Sequence, residues 1–154
     1  MIAGLALAAV LGLACAAGPA GAGAAVEQQA FETILAAAHS GLHDRTREIV
    51  RDEAGWARLW AEIHGSDAPA VPPVDFSRQM LIVVALGTRP SGGFGIRVGG
   101  VATRGDRLEV AVLESCPPPG AMVTAALTQP VEVVRVARLS QAPTFQDRRG
   151  ASCR

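Results

Sequence analysis

From residue 26 onward the apolar positions fall into short runs of two different periods, punctuated by glycine and proline. Trp56, Leu59, Trp60 and Ile63 recur at i, i+3, i+4 and i+7, the spacing that lines one face of an α-helix. Asp52 before this stripe predicts an N-cap, and Gly65 after it predicts the stop. Met80 to Leu86 is an unbroken apolar run bounded by turn residues, which predicts a strand covered on both faces at the centre of a sheet. Phe94, Ile96 and Val98 alternate with Gly95, Arg97 and Gly99, and Leu108, Val110 and Val112 alternate with Glu109 and Ala111. Both stretches predict half-buried strands with Gly105-Asp106 as the turn between them, so that Met80 to Leu113 reads as a three-stranded antiparallel meander. Phe31 to Leu35 and Arg45 to Arg51 predict two edge strands flanking the turn-prone His39-Ser40-Gly41 stretch, although Ala36, Ala37 and Ala38 also allow a helix in the first. Val131 to Ala137 predicts the last strand.

Between these runs lie segments that regular structure excludes. Pro69, Pro72 and Pro73 mark Ser66 to Val74 as a linker, and Cys116-Pro117-Pro118-Pro119-Gly120 ends the meander because successive prolines supply no ladder donors. Met122 to Leu127 reads as a short crossing segment, and Pro143 to Arg154 as a basic, poorly packed tail. The expectation is one α+β domain: a mostly antiparallel sheet of about five or six strands with one amphipathic helix packed on one face. Its bounds are 26–145, with 146–154 as the basic tail. With only 4% aromatic residues in the chain, both tryptophans of the helix are assigned to the core and not to a ligand platform.

The first charged residue is Glu27, and Ile2 to Leu13 is apolar, of signal-peptide length and too short to span a bilayer as a helix. Ala20-Gly21-Ala22 and Ala22-Gly23-Ala24 offer small residues at the spacing of a cleavage site, while Leu13-Ala14-Cys15 resembles a lipoprotein box that carries Gly12 where a branched residue is usual. Residues 1–25 are therefore read as an export signal, either cleaved to release the protein or leaving it lipid-anchored at Cys15; an Ala/Gly tail is the plain alternative. Export places the protein in the periplasm or at the cell envelope, touching membrane only through such an anchor. It also leaves Cys116 and Cys153 as an even pair, either a disulfide or two free thiols.

The 14 basic residues, all arginine, balance 14 acidic ones, which argues against a nucleic-acid partner. Ser40, Ser91 and Cys116 are the candidate nucleophiles and His39, His43 and His64 the candidate bases. No G-x-S-x-G elbow surrounds either serine, and His39 and His43 lack the glutamate of an H-E-x-x-H zinc motif. No metal, no cofactor and no catalytic role are expected. The loop Arg89-Pro90-Ser91-Gly92-Gly93-Phe94 remains, stiffened by proline, opened by glycine and carrying an arginine and an aromatic, together with the Pro119-Gly120 turn. Such loops suit protein recognition, although the glycines also suit a plain turn.

Ser40-Gly41, Ile49-Val50-Arg51-Asp52 with Trp56 and Leu59-Trp60, Val74-Asp75-Phe76-Ser77, Leu86-Gly87 with Arg89 to Phe94, Pro119-Gly120 with Val123-Thr124, Ala126-Leu127-Thr128 and Val133-Val134-Arg135-Val136 together resemble the C-terminal domain of the protease complex subunit PrcB family. Two positions depart from its pattern: Phe94 stands where a tyrosine is usual, and Ala121 where many relatives carry cysteine. The resemblance implies a non-catalytic exported protein, in some relatives a lipoprotein, that associates with another protein and stabilises a protease. Two other functions are weighed beside it: a small β-sheet protease inhibitor inserting the 89–94 loop into an active-site cleft, and a Ser/Cys hydrolase.

Overall fold

The computed structural model describes residues 24–153. The apolar stretch Ile2 to Leu13 and Cys15, with the proposed lipid attachment, lie outside the described residues. Eight strands and one helix follow in the order β1 (Val26–Gln28), β2 (Phe31–Ala37), β3 (Arg45–Val50), α1 (Glu53–His64), β4 (Gln79–Leu86), β5 (Gly95–Arg104), β6 (Arg107–Ser115), β7 (Val131–Ala137) and β8 (Ala142–Arg149). They form two four-stranded sheets, β1-β5-β6-β8 and β2-β7-β4-β3. The α+β class and the single α-helix among the described residues agree with the sequence. The strand count exceeds the expected five or six because the chain builds two sheets instead of one.

The helix forms where its caps and stripe placed it. Asp52 accepts the Gly55 amide at 2.7 Å, and Gly65 at φ 68° ends the last turn. Trp56, Leu59, Trp60 and Ile63 are buried against Leu81, Val83, Ala85, Val131 and Val133 of the second sheet. The two indoles meet edge to face at 5.0 Å between ring centres, an arrangement that aromatic quadrupoles favour. Their N–H groups donate to the carbonyls of Pro72 (3.0 Å) and Pro69 (2.8 Å), so the proline-rich linker is pinned by the same residues that anchor the helix.

Strand β4 explains the layering. Leu81, Val83 and Ala85 face the helix, while Met80, Ile82 and Val84, with Val134 and Val136 of the neighbouring β7, face the other sheet, where they meet Val98, Val101, Leu108, Val110 and Val112. Met80 to Ala85 are fully buried because a helix covers one face and a sheet the other. The molecule is thus a helix, a sheet and a second sheet in three layers. Strand β4 pairs with β7 and β3, all antiparallel, and not with β5. The expected meander from Met80 to Leu113 is therefore divided: residues 87–94 cross from one sheet to the other, and only β5 and β6 form a hairpin. Glu132 of β7 ties the sheets at their rim, accepting from Thr33 Oγ1 at 3.1 Å and from the Val98 amide of β5, where a bulge interrupts pairing with β6.

The stretch read as a basic tail is strand β8. It pairs in parallel with β6, Val110 opposite Phe145, and Phe145 packs into the core between the sheets. Its charged residues, typical of an outer strand, hide it from an apolar pattern. Strand β7 is accordingly not the last, and the C-terminal residues are held further by the Gly150 amide donating to the Glu114 carbonyl at 2.8 Å.

Candidate functional site

Two irregular segments at one end of the sandwich, the 87–94 crossover and residues 116–130, fold onto each other. Arg89 and Thr128 exchange both backbone hydrogen bonds, at 2.7 and 3.1 Å, and the Gly92 amide donates to the Thr124 carbonyl at 3.0 Å. Thr128, itself buried, donates its hydroxyl to the Ser91 carbonyl at 2.9 Å. Glycine is needed at this junction. Gly93 has φ 84°, and a Cβ there would lie 2.9 Å from Pro117 Cβ and 3.0 Å from Val123 Cγ1. Backbone bonds thus hold the second segment in a fixed shape without any strand pairing beyond the single Arg89–Thr128 bridge.

This pairing changes which residues face solvent. Arg89, Ser91, Gly92 and Phe94 are half-buried, while Pro90, Gly93, Pro119 and Gly120 are exposed. Arg89 donates from Nη2 to the Leu86 carbonyl at 2.9 Å and lies 6.0 Å from the centre of the Phe94 ring. The exposed apolar surface comes from the next segment: Met122 is 101% exposed, Leu127 61% and Val123 40%. The sequence places all three in a short crossing segment, with Val123 and Leu127 among the residues of the family resemblance, and assigns none of them a surface role. The available signal was an apolar run between Gly120 and Pro130 that follows neither helical nor strand period.

Beside the junction is a cleft of about 190 Å³ lined by Leu86, Arg89, Phe94, Glu114, Arg149 and the disulfide partners Cys116 and Cys153. Cys116 and Cys153 are joined, with Cα atoms 5.1 Å apart, so that the C-terminal residues are fastened to the start of the triproline segment. Behind the cleft is an ionic network. Glu114, 6% exposed, takes Arg45 and, at 2.9 Å, Arg47, with Arg149 at 3.6 Å; Asp147 takes Arg47 at 2.7 Å and Arg45 at 3.0 Å. Burial pushes the Asp147 carboxyl up, but hydrogen bonds and charge from Arg47 and Arg45 outweigh it and hold the group below the ordinary carboxylate range. The network fastens β3 of one sheet to β6 and β8 of the other.

Among the described residues no hydrogen bond joins a candidate nucleophile to His39, His43 or His64. Ser40 donates to the Gln129 carbonyl at 2.9 Å and accepts the Leu42 amide, a turn-closing role; Ser91 bonds the Gly92 carbonyl; Cys116 is in the disulfide. His43 faces Thr88 at 3.3 Å, and His64 bonds the Trp60 carbonyl at 3.0 Å. Among the described residues no group of three His, Cys, Asp or Glu side chains is placed to hold a metal ion.

Residues 80–137 match the family model described as PrcB C-terminal. The matched stretch runs from β4 through β7 and contains both segments of the junction. No curated protein and no solved structure matches the chain.

Proposed function

We propose, from the match of residues 80–137 to the PrcB C-terminal family model, that the protein is an exported, non-catalytic accessory module that holds another envelope or secreted protein, a protease in the sense the family name carries, through the face where the 89–94 crossover and the 117–127 segment meet. The observation behind this reading is the exposure of Met122, Val123 and Leu127 on a segment whose backbone is already bonded in place. Exposed apolar side chains on a pre-ordered support bind with less ordering cost than a mobile loop, and large exposed apolar residues gathered in one place mark interaction surfaces. The disulfide favours the exported setting, since such bonds persist in oxidising compartments.

The inhibitor alternative has less support. A loop entering an active-site cleft must project, whereas the 89–94 turn is bonded along its length to residues 124–128 and presents half-buried Arg89 and Phe94. The test is capture from the native envelope with the full chain as bait, beside a Met122→Ser, Leu127→Ser double variant. The double variant is expected to lose the partner while keeping its fold by circular dichroism. Protease activity of the captured fraction then separates the roles: raised or prolonged activity supports a stabiliser, suppressed activity an inhibitor. Undiminished capture by the variant excludes this face.

A further inference from the structure

The cleft beside the junction has a charge balance that the binding reading does not use. Four guanidinium groups, Arg45, Arg47, Arg89 and Arg149, stand in or directly behind it against two carboxylates, Glu114 and Asp147. Arg45 and Arg47 are each committed to both carboxylates, and Arg149 leans on Glu114 from an exposed position. Arg89 is different. No carboxylate of the described residues lies within ion-pair distance of it, Nη2 is spent on a backbone carbonyl, and its buried Nε has no hydrogen-bond partner among the described residues. Nε is closed to solvent, so the donor an anion can reach is Nη1, which is neither bonded nor buried, and an anion there offsets the charge of a half-buried cation that has no carboxylate of its own. The rest of the wall is mixed: Leu86, the Phe94 ring and the Cys116–Cys153 bridge are apolar, while Ser115 and Glu114 are polar, the Glu114 carboxylate being already taken by Arg45 and Arg47.

We infer that this cleft takes a carboxylate carried on a short aliphatic stem, supplied by the partner as either an acidic side chain or a chain end. Arg89 and Arg149 receive the oxygens, since guanidinium groups match the planar carboxylate with paired N–H donors. Phe94 and Leu86 receive the stem. A cleft of about 190 Å³ holds one such group and excludes a folded element. The inference rests on the proposed binding role and adds a second contact to it, adjoining the apolar face of Met122 and Leu127.

The test needs no partner. The ¹⁵N-labelled full chain is titrated with three capped peptides of the same apolar sequence: one with a free C-terminal carboxylate, one amidated with an internal glutamate, and one amidated with no acid. Inorganic phosphate is the fourth probe. Saturable shifts of the Arg89 Nε–H and the Ser115 and Cys116 amides are expected with at least one acidic peptide, and which of the two binds identifies chain end or side chain. Arg89→Gln is expected to weaken that binding about tenfold or more, the usual scale for losing a charged hydrogen bond. Arg149→Gln, at an exposed position, reads the same cleft if the Arg89 variant fails to fold. Three results overturn the inference: equal binding of the neutral peptide, no saturation with either acidic one, or phosphate binding as well as the peptides, since charge alone would then select. Loss of peptide binding with partner capture retained removes the cleft and leaves the apolar face standing.

Discussion

Met80–Leu86 and Ala121–Leu127 are two largely apolar runs with opposite fates. The first is wholly buried between a helix and a sheet, and the second is exposed at every residue. Ala121–Leu127 is the less apolar of the two, with three alanines and Thr124, and the surroundings of each run in the chain add to that difference. Met80–Leu86 is long enough and free enough of proline to pair on both edges, with β3 and with β7, and both of its faces then meet apolar layers. Ala121–Leu127 is confined between Pro117-Pro118-Pro119 and Pro130, and its backbone bonds go to Gly92 and Pro118 instead of a strand. An apolar run denied a ladder but given a fixed shape stays on the surface, where its free energy is available to a partner.

The comparison breaks most visibly on the buried side. Leu81→Ala removes a fully buried side chain from the helix–sheet interface and is expected to cost about 2 to 5 kcal/mol in urea unfolding, the range for large-to-small core changes. Met122→Ala, with an equal apolar loss on paper, is expected to stay within about 0.5 kcal/mol of the parent. Equal losses would erase the distinction between the two runs.

Next in size is the disulfide. Cys153→Ser opens a link across a sequence separation of 37 residues and is expected to cost about 2 to 4 kcal/mol, read as a lowered urea midpoint. Because Cys116 opens the triproline segment, the same variant is expected to speed amide exchange from residue 120 to 128 while sparing β4. Gly93→Ala sharpens the contrast further. It places a side chain at φ 84° against Pro117 and Val123, at a cost of about 1 to 2 kcal/mol from the left-handed backbone alone, and is expected to weaken partner capture more than its stability loss explains.

The smallest effect is electrostatic. Asp147 has a folded-state pKa held below its unfolded value by Arg47 and Arg45, so its contribution is fully present above the unfolded value, about 3.9, and is lost as pH falls through the lower folded one. Stability is expected to decline in that acid window less steeply for Asp147→Asn than for the parent, as read by thermal unfolding across pH. Identical slopes would mean that this carboxylate is not tied in the folded protein.

How much of this was legible in the sequence follows the range of the interactions. Helix α1 was legible because its cap, stripe and stop all lie between Asp52 and Gly65. The burial of β4 was legible because a strand covered on both faces needs no polar position. The division into two sheets was not, since alternation in β5 and β6 is the same whether β4 or β8 lies alongside, and pairing is decided by residues far apart in the chain. Strand β8 was missed because Phe145 is the one large apolar residue among charged and polar neighbours, as an outer strand requires. At the candidate site, Pro90 and the glycines of residues 89–94 were legible as a turn, which the structure folds onto residues 124–128. The surface they support, Met122, Val123 and Leu127, and the arginines converging on Glu114 depend on folding and have no local pattern.

The most direct test is photocrosslinking from a probe amino acid at position 122, set against the same probe at exposed Gln146 on β8, with the full chain in its native cells. A discrete crosslinked protein from position 122, absent from position 146 and lost when Leu127 is changed to serine, is the predicted result. Crosslinks of equal yield from both positions, or none from 122, would contradict it.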